Sequence, residues 1–317
     1  MAEKIAIGID IGGTFTKIAL VTQQGEVYRL ERIRTASHTG VENYLDSLKE
    51  IISTFLLEKP IGIGITIPGF LSPDGRMSLF NPNTPALEKL DFVDWLAPFG
   101  LPVRTEQDLN AAALSEYYFG SGQGSRRFMA TPIGTGVGVG MVVDGEVLRF
   151  TGYTTGDAGH IILEPDGPQC TGGCRGCAEA LVTIPAIERD TLARIQAGQA
   201  DSLKSLLNEG RVVAQDVIRL ARDGDPAAVQ IMTKIGERLG LWLASLAPIF
   251  LPDRIALCGG IAEAGDFLLD ACRQRFTHLS GAEYSRGCEV VFGTFRGLAG
   301  VVGAAAPLLL GKQPIRN

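Results

Sequence analysis

The sequence predicts an α/β protein of two lobes, built by duplication of one unit and with a cleft between the halves. Three observations carry this. β-type runs alternate with apolar runs at helical spacing along the chain, the pattern of a partly parallel sheet covered by helices. A strand, a glycine loop, a strand, a turn and a strand occur twice, about 120 residues apart: Gly25, Glu26 and Val27 follow Thr14 as Gly145, Glu146 and Val147 follow Thr135. Finally, 317 residues exceed a single domain of roughly 100–200.

The elements follow in order. Residues 4–10 alternate and are β-branched, 17–22 resume that character after a glycine loop, and 25–32 form a third short strand, together a meander with tight turns. Residues 41–57 carry apolar side chains at helical spacing, 61–67 read as a strand, 87–96 as a helix, 103–106 as a strand and 110–118 as a helix. The second half opens with strands at 129–134 and 137–143 around a glycine loop, then the Asp144-Gly145 turn. After an irregular Cys/Gly segment come helices, a long one near 227–249, then a strand at 254–258, a helix at 267–278, a strand at 289–293 and a last helix at 298–310 that returns to the first lobe. The lobes are therefore expected at 1–118 plus 298–317 and at 119–297.

Composition narrows the class. A hydrophobic fraction of 45% supports a packed core and excludes wholesale disorder. With 29 Lys+Arg against 35 Asp+Glu the net charge is −6, and no basic stripe is present, which argues against a nucleic-acid partner. The apolar stretches 240–252 and 298–310 are too short for a ~20-residue membrane span. The first residues read as a strand rather than a signal peptide, so a soluble cytoplasmic protein is expected. Forty glycines, about 13% against a usual ~7%, cluster at 8–13, 134–140, 152–176 and 259–265 and mark specific loops. Of six cysteines, Cys170, Cys174 and Cys177 fall within eight residues, while Cys258, Cys272 and Cys288 are scattered and read as buried small apolar residues.

The glycine loops point to phosphate. Asp10, Gly12, Gly13 and Thr14, with Lys17 beyond, lie between two strands; backbone N–H donors need the close approach that glycine permits, and Asp10 suits a hydrated Mg²⁺. The alternative is a plain hairpin turn. Gly134, Thr135 and Gly136 form a second such loop, followed by β-type residues, so it is not the dinucleotide fingerprint, and no Walker A pattern occurs. Gly259 and Gly260 form a third turn, where a helix start would suit a phosphate or leave room for a flat base. Together the loops fit ATP. Asp108 stands where a strand gives way to a helix: either a base that takes a hydroxyl proton as that oxygen attacks a γ-phosphorus, or a helix cap. His160, Cys170, Cys174 and Cys177 have spacings that suit a structural tetrahedral Zn²⁺, against a reading as free thiols. Asp157 and Glu179 flank them and, with His160, offer partners to sugar hydroxyls.

These residues resemble the ROK family of sugar kinases and sugar-responsive repressors, within the hexokinase/actin/chaperone ATPase superfamily. The resemblance runs from Asp10–Thr14 to the terminal helix carrying Gly300 and Gly303. The family's E-N-D-x-N segment matches Glu106-Gln107-Asp108-Leu109-Asn110, its E-x-G-H matches Asp157-Ala158-Gly159-His160, its C-x-C-G-x-x-G-C-x-E matches Cys170 through Glu179, and its sugar-loop Asn-x-Pro resembles Asn83-Thr84-Pro85. Gln107, Asp157 and Gly172 depart from the pattern, where it has Asn, Glu and Cys; Cys174 is positioned to take over as ligand. The resemblance implies the two-lobed actin/hexokinase-like ATPase fold and an ATP- and Mg²⁺-dependent kinase of the 6-hydroxyl of a hexose, foremost glucose. Asp108 is then the base, Asp10 the Mg²⁺-linked acid, and Gly12, Gly13, Thr14, Lys17, Gly134, Thr135 and Gly136 the phosphate cradle, with Gly259 and Gly260 near adenosine. Asn83, Gln107, Asp108, Asp157, His160 and Glu179 hold the sugar, and a homodimer or higher homo-oligomer is expected. The alternatives are a kinase of N-acetylmannosamine or another hexose, and a non-catalytic sugar-sensing regulator. Repressor members carry an N-terminal helix-turn-helix, for which a first strand beginning at residue 4 leaves no room.

Overall fold

The structure is a computed structural model and describes residues 3–36, 40–81, 84–150 and 154–311. In chain order the strands and helices are β1 (Ile5–Ile11), β2 (Phe15–Thr22), β3 (Val27–Arg34), α1 (Val41–Phe55), β4 (Ile63–Ile67), β5 (Phe70–Leu71) and β6 (Ser78–Phe80). Next come α2 (Phe92–Leu96), β7 (Val103–Gln107), α3 (Asp108–Phe119), β8 (Arg127–Pro132), β9 (Gly140–Val143), β10 (Glu146–Val147), α4 (Ala178–Val182), α5 (Ile184–Gln196) and α6 (Ala214–Arg222). The chain ends with α7 (Pro226–Phe250), β11 (Arg254–Cys258), α8 (Asp266–Leu279), α9 (Ala282–Ser285), β12 (Glu289–Phe292) and α10 (Ala299–Leu309). It divides into two compact units, one of Met1–Gly124, Gly140–Gly156 and Gly297–Asn317, the other of Ser125–Val139 and Asp157–Arg296.

The first unit is a five-stranded sheet in the order β3-β2-β1-β4-β7. β1, β2 and β3 form an antiparallel meander, while β4 and β7 run parallel to β1. The central strands β1, β2 and β4 are rich in Ile, Val and Leu, and Ile7, Ile9, Ile18, Leu20, Ile63 and Ile65 are fully buried. Helix α1 adds Tyr44, Leu48, Ile52 and Phe55, four apolar residues on one face at i, i+4 and i+3 steps. The register of the parallel strands has a direct consequence: Asp10 pairs with Thr66, and Thr66 with Glu106. The C-terminal ends of β1, β4 and β7 therefore bring chemistry-bearing residues to one edge, the side on which α/β sheets place their sites.

Helix α10 belongs to this unit and is made almost wholly of Ala, Gly and Val. Its small residues let backbones touch. A Cβ built on Gly64 would lie 1.9 Å from the Ala304 carbonyl oxygen, and one on Gly303 would lie 1.7 Å from that of Ala111. Glycine at these positions is what allows the helix to seat against β4 and α3.

The second unit holds the parallel strands β8, β11 and β12, paired in the order β8-β11-β12. Three parallel strands therefore recur, as in β1-β4-β7, and β9–β10 follows β8 as an antiparallel hairpin just as β2–β3 follows β1. The repeat read in the sequence is a repeat of topology. The 25-residue α7 starts on Asp225, whose carboxylate accepts from the Ala227 and Ala228 N–H groups, with Pro226 in the first turn. Gly236 and Gly240 let α8 approach closely. Trp242 is fully buried and donates its Nε1–H to the Ala158 carbonyl at 2.9 Å, tying the turn that carries His160 to the core of α7.

Local details differ from the sequence reading. The helix expected at 87–96 is a 3₁₀ turn at Pro85–Leu87 and a short α2, because Lys89 adopts positive φ between them. The strand expected at 137–143 is confined to Gly140–Val143. Among the scattered cysteines, Cys258 and Cys272 are buried as expected and Cys288 is half-buried. No helix among the described residues is long and apolar enough to cross a membrane.

Candidate active site and metal centre

In the first unit Asp10 ends β1 with its carboxylate half-buried, and Thr66 donates Oγ1–H to Asp10 Oδ1 at 3.0 Å while accepting the Ile11 N–H. A Cβ on Gly300, at the start of α10, would lie 2.2 Å from Asp10 Cγ, so only glycine leaves space for this carboxylate. Burial pushes Asp10 above the usual carboxylate range, with Lys17 and the Thr66 hydroxyl pulling the other way. Lys17 stands opposite Asp10 in the β1–β2 pair, and its Nζ donates to the Gly297 carbonyl at 2.5 Å. Asp108 is the first residue of α3. Burial, then the nearby Asp10 charge, raises it to about 6.

The helix cap is Gln107 rather than Asp108. Gln107 Oε1 accepts from the Leu109 and Asn110 N–H groups at 3.0 and 3.2 Å, and its Nε2 donates to Asp108 Oδ1 at 2.5 Å. Asp108 Oδ1 also accepts the Leu109 N–H at 2.9 Å. Behind them Glu106, 4% exposed, accepts from the Gln107 N–H and Asn110 Nδ2 on one oxygen, both at 3.0 Å, and from the Arg149 guanidinium on the other. Thr155 closes the network by donating to the Leu148 carbonyl while contacting Asn110 Oδ1. Expected to hold sugar, Gln107 thus has both ends of its amide engaged in its own unit.

Gly12, Gly13 and Thr14 form the tight turn between β1 and β2, with the Gly12 N–H on the Phe15 carbonyl at 3.1 Å. The Thr35 hydroxyl donates to the Gly12 carbonyl at 2.7 Å and Thr35 N–H to that of Thr14, while Thr16 links Thr35 to Tyr44. The loop is both a hairpin turn and rigidly held from beneath, with Thr14 exposed at its tip. In the second unit Gly134 N–H reaches the Gly136 carbonyl at 2.9 Å, and Thr135 and Gly136 are exposed. Gly259 has φ +82°, and a Cβ there would lie 2.4 Å from the Ile133 carbonyl oxygen, so this turn lies directly against the 133–137 loop. A five-residue 3₁₀ segment, Gly260–Ala264, follows it, so the helix start expected at this turn is a 3₁₀ start, while the helix expected at 267–278 runs from Asp266 after Gly265, another positive-φ residue. Space beside Gly260 is open.

The donor atoms of His160, Cys170, Cys174 and Cys177 all lie within 4.8 Å of one another. His160 Nδ1 is 3.7 Å from Cys170 Sγ and 3.4 Å from Cys174 Sγ, and those two sulfurs are 3.3 Å apart. One imidazole and three thiolates at this separation match the donor set and size of a tetrahedral Zn²⁺ site. The Cys174 thiol is pushed up to about 12 by its hydrogen bond with Cys177 and by burial. A Cβ on Gly172 would lie 2.9 Å from His160 Cε1 and 3.6 Å from Cys170 Sγ. A side chain at 172 would therefore crowd the cluster, and Cys174 supplies the thiol in its place. The other ring nitrogen, Nε2, faces Asp157 Oδ2 at 3.7 Å, and Glu179 accepts from Thr171 at 3.2 Å. Glu179 Oε2 would be 3.0 Å from a Cβ on Gly136, so this carboxylate stands beside the second glycine loop. Asn83 lies outside the described residues.

Thr66, Thr35 and Arg149 were not singled out in the sequence, and Gly300 only as a residue of the terminal helix. Thr66 had one usable signal, a lone hydroxyl ending an apolar strand; the others meet their partners only through the fold.

Two units of repeated topology, an acid pair at one sheet edge, glycine turns and a His/Cys₃ cluster define a sugar-kinase-like α/β protein of the actin/hexokinase architecture. The ROK family pattern matches residues 6–310, and the chain belongs to the ROK family. It is 30% identical over 307 residues to a glucokinase of Thermotoga maritima, spanning 95% of this chain and 96% of that one. The crystal structure of a ROK family glucokinase from Streptomyces griseus in complex with glucose and AMPPNP superposes with a TM-score of 0.83 at 30% identity, covering 95% of this chain and 98% of that one. The xylose repressor of Bacillus subtilis is 27% identical over 289 residues, 89% of this chain and 70% of the repressor.

Proposed function

We propose that this chain is an ATP-dependent hexose kinase that phosphorylates the 6-hydroxyl, with glucose as the foremost substrate. The observation that carries this reading is Asp108. One oxygen is fixed by two N–H donors, the other has no partner among the described residues, and the group is raised to about 6. Asp108 takes the acceptor hydroxyl proton as that oxygen attacks the γ-phosphorus; the P–O bond to ADP breaks and ADP leaves with the electron pair. Gly12, Gly13 and Thr14, with Gly134, Thr135 and Gly136, offer backbone N–H groups and hydroxyls to the phosphates, and Gly259 and Gly260 leave space for the adenosine. Bound Mg²⁺ would supply charge neutralisation at the phosphates, and Asp10 would hold it through water. Asp157, His160 and Glu179 hold sugar hydroxyls, Asn83 joins them, and Zn²⁺ on His160, Cys170, Cys174 and Cys177 fixes that loop. The glucokinase similarities support the kinase class and ATP as donor.

The test is ADP release from ATP–Mg²⁺ across a panel of glucose, mannose, N-acetylmannosamine and other hexoses, for wild type and Asp108→Asn. Turnover with glucose that the variant abolishes supports the reading. Turnover only with another hexose moves the specificity, and sugar binding without turnover replaces the kinase by a sugar-sensing regulator.

A further inference from the structure

We infer that Gln107 is a positioning residue that clamps the catalytic base, an inference that rests on the kinase reading above. A carboxylate on a helix's first residue can rotate about its Cβ–Cγ bond and present either oxygen. Here Oδ1 receives two donors, Leu109 N–H at 2.9 Å from the helix and Gln107 Nε2 at 2.5 Å from the strand end. Two donors on one oxygen fix the rotation and leave Oδ2 as the proton acceptor. Gln107 can do this because its own amide is held. Its Oε1 caps α3 through Leu109 and Asn110, so its Nε2 has one direction in which to point. Its backbone N–H is held in turn by Glu106, which Arg149 anchors. The residue is 4% exposed, which suits an internal brace better than a sugar ligand.

The clamp works through donation to the charged carboxylate, so the informative variant keeps everything else. Gln107→Glu is isosteric and still offers an acceptor to the α3 N-terminus, but it loses the donor and sets a like charge against Asp108. The charged groups that bear on Asp108 are Asp10 from β1, with Lys17 on β2 behind it, and the Glu106–Arg149 pair beyond Gln107. None of these is altered. With glucose and ATP–Mg²⁺ the expected result is a fall in kcat of about 10- to 100-fold, glucose KM within about threefold, and an acidic limb of the kcat–pH profile about one unit higher or more. Gln107→Asn keeps an amide donor and is expected to rescue kcat to within about fivefold and restore the limb. A glucose KM raised tenfold or more at constant kcat would overturn the proposal in favour of direct sugar contact. A second readout stands apart from turnover: the Asp108 side-chain carboxyl followed by ¹³C NMR, assigned with Asp108→Asn. Its titration is expected to move up in Gln107→Glu even if no sugar is phosphorylated. An unmoved titration overturns the clamp, whereas a moved titration in a protein without turnover overturns only the kinase reading.

Discussion

Asp108→Asn separates what the site gains in chemistry from what it costs in stability. The carboxyl moves from an ordinary value of 3.8 to about 6 in the folded protein, because burial and the neighbouring Asp10 both disfavour its charge. The folded state therefore holds this proton more tightly than the unfolded chain does. Stability that is complete below pH 4 is lost as the pH rises through 6. A shift of roughly two units is worth about 3 kcal/mol at most, and because the side chain is only half-buried, solvent screening reduces this to about 1–2 kcal/mol. Asparagine keeps the shape and the acceptor for the Leu109 and Gln107 donors but carries no charge. The variant is thus expected to be more stable than wild type at pH 8, by about 2–4 °C in Tm, and to show no advantage near pH 4. Its kcat should fall at least ~10²-fold, since the proton acceptor is gone. Thermal unfolding of both proteins without nucleotide, at pH 4, 6 and 8, measures the difference directly. If Asp108→Asn were less stable at pH 8, the two hydrogen bonds to the carboxylate would outweigh its desolvation and the argument for a raised, poised base would fall.

Three further outcomes are expected. Cys174→Ser removes one of four donors within 4.8 Å, and elemental analysis should show zinc falling from one ion per chain to a small fraction, with a lower Tm; full zinc retention would show that Cys174 is not a ligand. Gly300→Ala places a methyl 2.2 Å from Asp10 Cγ, so kcat should drop at least ~10-fold with the circular dichroism spectrum unchanged; wild-type kinetics would mean that Asp10 can move aside without cost. Gly64→Ala drives a methyl to 1.9 Å from the Ala304 carbonyl on α10, and urea unfolding should report a loss of about 2–4 kcal/mol, the cost of parting helix from strand; a loss under 0.5 kcal/mol would contradict the close seating of α10.

Much of the fold was legible because its signals are local. The β-branched runs became strands, the Ala227-to-Ile249 stretch became most of α7, and the repeated glycine loops marked a repeat of topology. The thiol spacing also gave the cluster directly, since Cys170, Cys174 and Cys177 lie on one short loop. What escaped was set by contacts between distant residues or by single dihedral angles. The sequence could not show that a side chain one methylene longer than Asn would turn back to cap α3 and touch Asp108. Nor could it show that Arg149 reaches Glu106, 43 positions away. The helix read at 267–278 is α8, but the helix start expected at the Gly259–Gly260 turn is a 3₁₀ segment, which Gly265, at φ +121°, separates from α8. The poverty of side chains in α10 was visible, but its meaning depends on Gly64 and Ala111, which are brought to it only by folding.

The two acids of the first unit show why one residue and not the other is assigned the proton. Both are raised by burial, so titration alone does not divide the work between them. Their surroundings do. Asp10 is walled in: Gly300 approaches so closely that a single Cβ would lie 2.4 and 2.5 Å from its two oxygens, Thr66 holds Oδ1, and Lys17 is its partner across the strand pair. A carboxylate enclosed in this way, with Lys17 favouring its charge, fits the proposed role of a fixed negative charge for a hydrated cation. Asp108 has amide donors on one oxygen, none among the described residues on the other, and a like charge as its neighbour. It is held in orientation yet left with an open acceptor, and repulsion from Asp10 strengthens its demand for a proton. In the proposed kinase the charge of the first acid tunes the second as a base, and removing Asp10 is expected to lower the acidic limb of the kcat–pH profile as well as the rate.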